Sequence, residues 1–166
     1  MTRSKSWIVH SAWHLRCIAA MLALVVSTGC SIKKFAISRM ADSLASQSTS
    51  SFATDDDPEL IGDALPFALK LMEGLLDQVP QHRGLLFATS SGFTQYSYVW
   101  VQQPADEMER QDVERAKVMR LRARKLYLRA RDYGIRGLEV KHPGFGRALR
   151  HDAKFAVRAA TKRDVP

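Results

Sequence analysis

Cysteine is scarce in this sequence: the chain has two, Cys17 and Cys30, and both lie near its N-terminus. The chain after Cys30 therefore has no thiol for a disulfide bond or a cysteine-ligated metal site. The histidines that follow, His82, His142 and His151, lack the His-x-x-x-His spacing of a helical zinc site. We therefore predict a domain without a disulfide, without a bound metal and without a cofactor.

Catalytic motifs are absent as well. The chain has no glycine-rich phosphate loop and no serine-elbow pattern. The acidic run from Asp55 to Asp57 directly precedes Pro58, which is typical of a helix start. A calcium loop would instead spread its ligands over about 12 residues and end in a glutamate. Because no spacing groups a nucleophile with a base, we predict that the protein is not an enzyme.

Long apolar runs are also missing. The apolar run of residues 17–26 is too short to cross a bilayer, since a spanning helix needs about 20 apolar residues. Basic residues precede the run and small residues follow it: Arg3, Lys5, Arg16, Ser27, Thr28 and Gly29. This order is typical of a bacterial lipoprotein signal. We predict that residues 1–29 are a signal peptide and that Cys30 carries the lipid. An uncleaved short anchor and an ordinary cleaved signal are the alternatives.

Acylation of Cys30 would anchor the protein to a membrane of the bacterial cell envelope, facing the periplasm. Each buried CH₂ of an acyl chain contributes about 0.8 kcal/mol to such an anchor. Ser31 stands where an aspartate would retain a lipoprotein at the inner membrane of enteric bacteria, which favours the outer membrane. The formal net charge of +8 favours anionic partners, but export makes nucleic acid an unexpected one.

Apolar residues recur at helical spacing through most of the remaining chain. Residues 30–54 are predicted to contain the lipidated N-terminus, a short helix over 32–44 and a serine-rich linker, and residues 55–166 a helical domain. The pattern predicts helices over residues 58–79, 85–103, 105–133 and 145–161, with residues 135–144 as a connector. The expected helix ends are Pro80, Pro104 and Gly134.

The predicted fold class is all-α. Paired helices of this length, joined by short turns, suggest stacked antiparallel helical hairpins like those of tetratricopeptide repeats, although no clear period of about 34 residues is present. Residues 96–101 are rich in β-branched and aromatic side chains and would also suit a strand. Near the end of the sequence, Asp164 resembles the start of a further helix.

Three segments carry a family resemblance. They read DDDPELIGDALPFALKLMEGLL over residues 55–76, HRGLLFATSSGFTQYSYVWVQ over 82–102, and RARKLYLRARDYGIRGLEVKHPGF over 122–145. In this order, after a lipoprotein signal, they resemble the TatT-type T component, a periplasmic lipoprotein associated with TRAP (tripartite ATP-independent periplasmic) transporters. The resemblance implies an all-helical, tetratricopeptide-like fold, a solute-binding P component as partner, and an apolar tunnel for a small organic ligand.

The resemblance covers nearly all of the chain after Cys30 but only about the first half of a typical member. It therefore implies an incomplete helical solenoid. A solenoid that stops early exposes the apolar face on which its next repeat would stack. A partner protein or self-association into a homo-oligomer would cover that face.

An aromatic group is the candidate for lining a ligand groove: Phe93, Tyr96, Tyr98 and Trp100. Apolar pockets use such side chains together with a few polar groups. The alternative is an ordinary core between helices, because Phe93, Tyr96 and Trp100 share one helical face.

A basic run between residues 115 and 136 is the candidate for a charged surface. The candidate residues of this basic surface are Arg120, Arg124 and Arg131. These side chains would suit anionic lipid headgroups or an acidic partner. The alternative is that they are solvated side chains beside an apolar stripe.

These observations lead to the hypothesis of a non-enzymatic accessory lipoprotein of TRAP-type solute uptake. It would bind a solute-binding protein, a small apolar or weakly acidic ligand, or both. The alternative is an envelope scaffold of the same fold without a small-molecule ligand. A peripheral module on anionic lipid is a further possibility, for which added salt should weaken membrane binding.

Overall fold

A computed structural model describes residues 32–46, 54–161 and 164 of the chain. The predicted signal peptide and Cys30 lie outside these residues. The chain divides into two compact units, Met1–Ala36 and Ile37–Pro166, and every contact reported below lies within the second. The described residues form helices and no strand, which confirms the all-α prediction and rules out the strand considered for residues 96–101.

The described helices follow one another with short turns. A first helix, α1, spans residues 32–46. The others are α2 (Pro58–Gln78), α3 (Arg83–Ser97), a π-helical segment (Tyr98–Gln102), α4 (Gln103–Met108), α5 (Val113–Glu139), α6 (Phe145–His151) and α7 (Ala153–Ala159). None of the described helices is both long enough and apolar enough to span a bilayer.

Helix α2 begins as its sequence predicts. The carboxylate of Asp57 accepts hydrogen bonds from the backbone N–H groups of Glu59 and Leu60, at 3.1 and 3.0 Å. Pro58 takes the first turn, where its missing N–H has no intrahelical partner to lose. The cap satisfies two amides that a helix start otherwise leaves free.

The prediction that Pro104 ends a helix is wrong. The chain stays helical from α3 through the π segment into α4, and Pro104 lies in the first turn of α4. The N–H of Gln103 bonds the carbonyl of Tyr98, five residues back. A π turn is wider than an α turn, so it accommodates a proline that cannot donate to the residue four positions earlier.

The predicted start of the long helix is wrong as well. Helix α5 begins at Val113, where the Asp112 carboxylate accepts a hydrogen bond from the N–H of Arg115 at 2.9 Å. The acidic residues expected at its N-terminus instead hold α4 against α5: Asp106 and Glu109 both bind Arg120. Their charges therefore act across a helix pair, and Asp106 in addition lies in the first turn of α4, where a negative charge favours the helix dipole.

The predicted end of the long helix at Gly134 is also wrong, because α5 continues to Glu139 and takes up half of the expected connector. A Cβ at Gly134 would lie 3.0 Å from the Ser90 hydroxyl, and one at Gly137 would lie 3.0 Å from the Phe87 ring. These glycines thus allow α3 to approach α5 closely and do not cap the helix. Ser90 also donates a hydrogen bond to the carbonyl of Ala130 at 2.8 Å.

The predicted helix over 145–161 is two helices. Asp152 has extended backbone angles between α6 and α7, and its carboxylate accepts a hydrogen bond from the N–H of Phe155 at 3.0 Å. An aspartate at this position bonds a neighbouring amide more favourably than it continues a helix. Helical spacing in the sequence predicts that Phe145, Ala153 and Ala156 face the core; Phe145 and Ala156 are buried, but Ala153 is exposed.

The core lies where α2, α3 and α5 meet. One cluster contains Ala41, Met72, Leu76, Leu85 and Leu86, and a second contains Leu65, Leu69, Phe93 and Ala130. Leu69 of α2 lies against Gly92 of α3, and Gly62, nearer the start of α2, lies against Trp100 in the π segment that continues α3. The two helices therefore run antiparallel. The Phe87–Gly137 and Ser90–Gly134 contacts show that α3 and α5 are antiparallel too.

A buried carboxylate, Glu73, joins α2 to α5. It lies 2.7 Å from the Lys70 ammonium and 2.8 Å from Arg129 Nε, and it accepts a 2.8 Å hydrogen bond from the Tyr133 hydroxyl. The Tyr133 ring stacks on Phe93 with ring centroids 6.1 Å apart. Burial, followed by the bond to Glu73 and its charge, raises the pKa of Tyr133 to about 12.

The raised pKa of Tyr133 predicts an alkaline stability transition. The unfolded pKa is about 10, so the stabilisation is complete below pH 10 and is lost as pH rises through about 12. Phenolate absorbance measures the ionisation of the tyrosines as pH rises. The difference between the titrations of wild type and Tyr133→Phe should give the ionisation of Tyr133 itself. In Glu73→Gln the pKa should fall yet stay above its usual value, because burial is the largest cause. A Tyr133 component that titrates near pH 10 in the wild type would contradict the prediction.

Candidate functional site

The aromatic residues predicted to line one groove are separated in the structure. Phe93 is buried in the second core cluster, and Tyr98 is 50% exposed. Tyr96 and Trp100 stack at the edge of the same cluster, with ring centroids 6.0 Å apart and an interplanar angle of 20°. Three of the four therefore share a core-facing side, as their spacing implies, but the four do not surround one cavity.

Tyr96 and Trp100 do line a shallow groove with α2. Its other residues are Pro58, Glu59, Gly62 and Asp63. The indole of Trp100 rests directly on Gly62, where any Cβ would overlap the ring. Arg122 lies over the Tyr96 ring at 5.7 Å and donates to its hydroxyl at 3.2 Å. The aromatic faces of this groove are thus already occupied by protein groups.

The basic residues are brought together. Arg120, Arg124 and Arg131 lie along one side of α5 and line a cavity of about 460 Å³. The other lining residues are Gln102, Ala123, Tyr127 and Leu128. We call this cavity the Arg124 pocket. Its volume is within the range of small-molecule sites, which is roughly 300–1,000 Å³.

The three arginines of the Arg124 pocket differ in what they contact. Arg120 binds Asp106 at 2.9 Å and Glu109 through two bonds of 2.7 Å. The bonds to Arg120 and its charge lower the pKa of Glu109, and the bonds to both carboxylates raise the pKa of Arg120. Arg131 bonds Asp132 at 2.6 Å. Arg124 makes no hydrogen bond or ion pair with any described residue.

A hydrogen bond joins two further polar side chains of the pocket lining. The Tyr127 hydroxyl donates to Gln102 Oε1 at 2.7 Å. Burial, followed by the nearby Tyr98 and Asp106, raises the pKa of Tyr127, so the hydroxyl keeps its proton at neutral pH. Because the amide oxygen accepts this bond, the amide NH₂ of Gln102 remains as a donor.

The pocket can bind but offers no catalytic pair. Its lining holds three guanidinium groups, an amide, a phenol and apolar side chains, without a carboxylate or an imidazole. Over the described residues, no group of three or more His, Cys, Asp or Glu side chains is arranged to hold a metal ion. The groups that the lining presents are hydrogen-bond donors and apolar surface.

Gln102 and Tyr127 were not among the residues predicted for a site. In the sequence, Tyr127 has the helical spacing of an apolar stripe, and Gln102 belongs to no motif. The π-helical segment brings Gln102 beside α5, and no spacing in the sequence signals that turn. A π segment within a helix is often found at functional positions.

A second charged cluster surrounds Asp164, which is 1% exposed. Its carboxylate binds Lys141 and the N–H and hydroxyl of Thr161, and lies 3.2 Å from His142 and 3.8 Å from Arg83. These bonds, that of Lys141 first, hold the pKa of Asp164 below its usual range. Whether a further helix begins here is not tested, because neighbouring residues lie outside the described part. The cluster joins the chain after α7 to α3 and to the turn after α5.

Comparisons with known proteins agree with the resemblance. The sequence model of the family described as TRAP transporter T-component matches residues 54–166. An uncharacterized protein of Treponema pallidum (strain Nichols) is 34% identical over 146 residues, covering 80% of this chain and 45% of that protein. The chain thus spans less than half the length of this relative. No solved structure matches.

Proposed function

This chain belongs to the TRAP transporter T-component family, and from that premise we propose that it is a lipid-anchored periplasmic accessory protein of a TRAP-type solute uptake system. In this proposal Cys30 carries the anchor, and the helical domain binds the solute-binding P component and a small organic ligand. The family match carries the proposal, because it covers the whole helical part from residue 54.

The geometry supports binding as the mechanism. Helix α3 packs antiparallel to both α2 and α5 around a small core. The Arg124 pocket lies beside them, with the composition of a recognition site and without that of a catalytic one. A rigid helical frame with a lateral cavity suits a protein that holds a ligand or a partner without changing it.

Exposed apolar side chains support the proposed contact with a partner. Large apolar side chains are exposed on α2, α5 and α7, among them Phe67 at 74% and Phe155 at 67%. Exposed aromatic residues of this size are enriched where proteins meet. They also favour the second candidate, an envelope scaffold that contacts proteins but has no small ligand.

Co-purification tests the proposed partner. The full chain, tagged at its C-terminus and extracted from its native membrane, should retain a periplasmic solute-binding protein identifiable by mass spectrometry. The same spectra should show an acylated Cys30 as the first residue. Cys30→Ser is the matched control: it should lose the lipid but still retain the partner when it is exported. A folded, acylated protein that retains no solute-binding protein would contradict the transport role.

A further inference from the structure

We propose that the contact between His82 and Asp42 is an acid-sensitive attachment of α1 to the domain. While the His82 ring is neutral it caps α3 and binds α1, and protonation of the ring releases α1. The inference goes beyond the proposed transport role, because it concerns how the helix that follows the proposed anchor is held and not what the domain binds.

Both ring nitrogens of His82 make contacts. Nδ1 accepts a hydrogen bond from the backbone N–H of Leu85 at 3.1 Å and so caps the start of α3. Nε2 lies 3.0 Å from the Asp42 carboxylate on α1. A backbone N–H can only donate, so Nδ1 must present its lone pair and the single ring proton must lie on Nε2. The two bonds together therefore require the neutral ring.

Protonation of the ring removes the cap. The second proton would lie on Nδ1 and face the Leu85 N–H, donor against donor. Leu85 is fully buried, so water does not readily replace the acceptor that its N–H loses. The pair with Asp42 would gain a charge, but the Asp42 side chain is 58% exposed and water screens that gain. The loss at α3 therefore outweighs the gain at Asp42.

Other charged groups near this turn have partners of their own. Arg83, the next residue of α3, lies against Asp164. Arg136 of α5 donates to the carbonyl of Pro80, in the turn before His82. Helix α2 meets α1 and α3 here through apolar side chains of the first core cluster. The charge that the ring gains therefore faces Asp42 first.

Helix α1 packs on the turn of α3 that this cap stabilises. Ala41 of α1 is fully buried in one cluster with Leu85 and Leu86. A Cβ at Gly84 would lie 3.7 Å from the Ala45 Cβ. Unwinding of the first turn of α3 would thus remove the surface on which α1 rests. Loss of the cap and release of α1 are therefore coupled.

Release of α1 would change the reach of the domain from a membrane. Helix α1 begins just after Cys30, the proposed lipid site, and its release lengthens the chain between Cys30 and α2. An imidazole gains its second proton between roughly pH 5 and 8, so mild acidification is sufficient. This consequence rests on the proposed anchor, whereas the acid-sensitive contact does not.

Hydrogen exchange followed by mass spectrometry tests the inference. The full chain in neutral phosphatidylcholine nanodiscs would be compared at about pH 7.5 and about pH 5.5, on either side of the usual titration of imidazole. The readout is the protection factor, in which the intrinsic pH dependence of exchange is divided out. We expect α1 and the first turn of α3 to lose protection roughly two- to thirtyfold at the lower pH, as for a lost helix cap. The centre of α5 should keep its protection. Unchanged protection of α1 would overturn the proposal.

Variants assign the response to one histidine. His82→Asn keeps an acceptor for the cap but does not titrate, so it should protect α1 equally at the two pH values. His151→Asn, at an exposed position of α6, should keep the wild-type response. His142→Asn should keep it too, although it removes the imidazole beside Asp164. Wild-type protection of α5 would show that each variant is folded. An acid response that persists in His82→Asn, or disappears in His142→Asn, would contradict the proposal.

A disulfide bond tests whether α1 itself moves. The 3.7 Å between the Ala45 Cβ and a Cβ at Gly84 is close to the mean of about 3.8 Å in disulfides. The double variant Ala45→Cys, Gly84→Cys, with its pairing verified by peptide mapping, should hold α1 on α3 when oxidised. Oxidation should abolish the loss of α1 protection in acid, and reduction should restore it. An equal loss in the oxidised and reduced forms would show that α1 is not released.

The two proposals fail separately. If α1 shows no acid response while Cys30 is acylated and the solute-binding protein is retained, the attachment inference is wrong and the transport role stands. If the response follows His82 while no solute-binding protein is retained, the attachment stands and the transport role is wrong.

Discussion

Replacing Leu69 with alanine is expected to lower the free energy of unfolding by about 2–5 kcal/mol. Leu69 is 2% exposed and lies in the cluster that joins α2 to α3 and α5. Truncation removes its transfer energy and leaves a cavity between helices that cannot fully collapse. A typical domain is stable by only about 5–15 kcal/mol, so the loss is a large part of the total. Urea unfolding followed by circular dichroism measures it. Leu60→Ala, at an exposed site on α2, should change stability by less than about 0.5 kcal/mol.

A double-mutant cycle sharpens this prediction. A Cβ at Gly92 would lie 2.8 Å from Leu69 Cδ2, so Gly92→Ala alone should overpack the α2–α3 contact and destabilise it by about 1–3 kcal/mol. In the Leu69→Ala background the new methyl group enters the space that Leu69 vacated. The combined loss should therefore be smaller than the sum of the single losses. Additive losses would show that the two residues do not share a contact.

Replacing Glu73 with alanine is expected to cost about 1.5–3 kcal/mol, as for the loss of hydrogen bonds to a charged group. The change leaves the Tyr133 hydroxyl without its acceptor and Arg129 without its carboxylate. The loss should be smaller than for a fully buried pair, because Lys70 and Arg129 are 67% and 46% exposed and can be hydrated.

Two comparisons test the role assigned to Glu73. Glu73→Gln keeps an acceptor for Tyr133 and should be less destabilising than Glu73→Ala. Asp77→Ala removes an exposed carboxylate from the same helix and should have almost no effect. Chemical unfolding of all three variants at pH 7 gives the comparison. Equal stability of Glu73→Ala and Asp77→Ala would show that the buried carboxylate does not join the helices.

The sequence predicts the fold class and the start of α2 because both depend on local signals. Helical spacing of apolar residues and the Asp57–Pro58 cap act within a few residues of one another. The ends of the other helices depend on distant contacts. Gly134 has the sequence context of a helix end, but Ser90 on α3 needs the space that it leaves. Such a glycine cannot be distinguished from a cap without knowing which helix lies opposite.

The candidate site is predictable to a similar degree. Arg120, Arg124 and Arg131 are four and seven residues apart on α5, so helical geometry alone places them on one side. The ion pairs of Arg120 with Asp106 and Glu109 are not predictable in this way, because the predicted helix over residues 105–133 places all three residues on one helix. Gln102 reaches the pocket through a π turn whose hydrogen bonds depend on the packing of α3 and α4 on α5.

The burial of Asp164 ties this one residue beyond α7 to the folded helices. A peptidase that trims the chain back past residue 164 would remove one carboxylate from Lys141, Arg83 and His142 together. Lys141 and Arg83 would then repel each other across the junction of α3 with the turn after α5. Cleavage before Asp164 would thus loosen a contact more than twenty residues upstream.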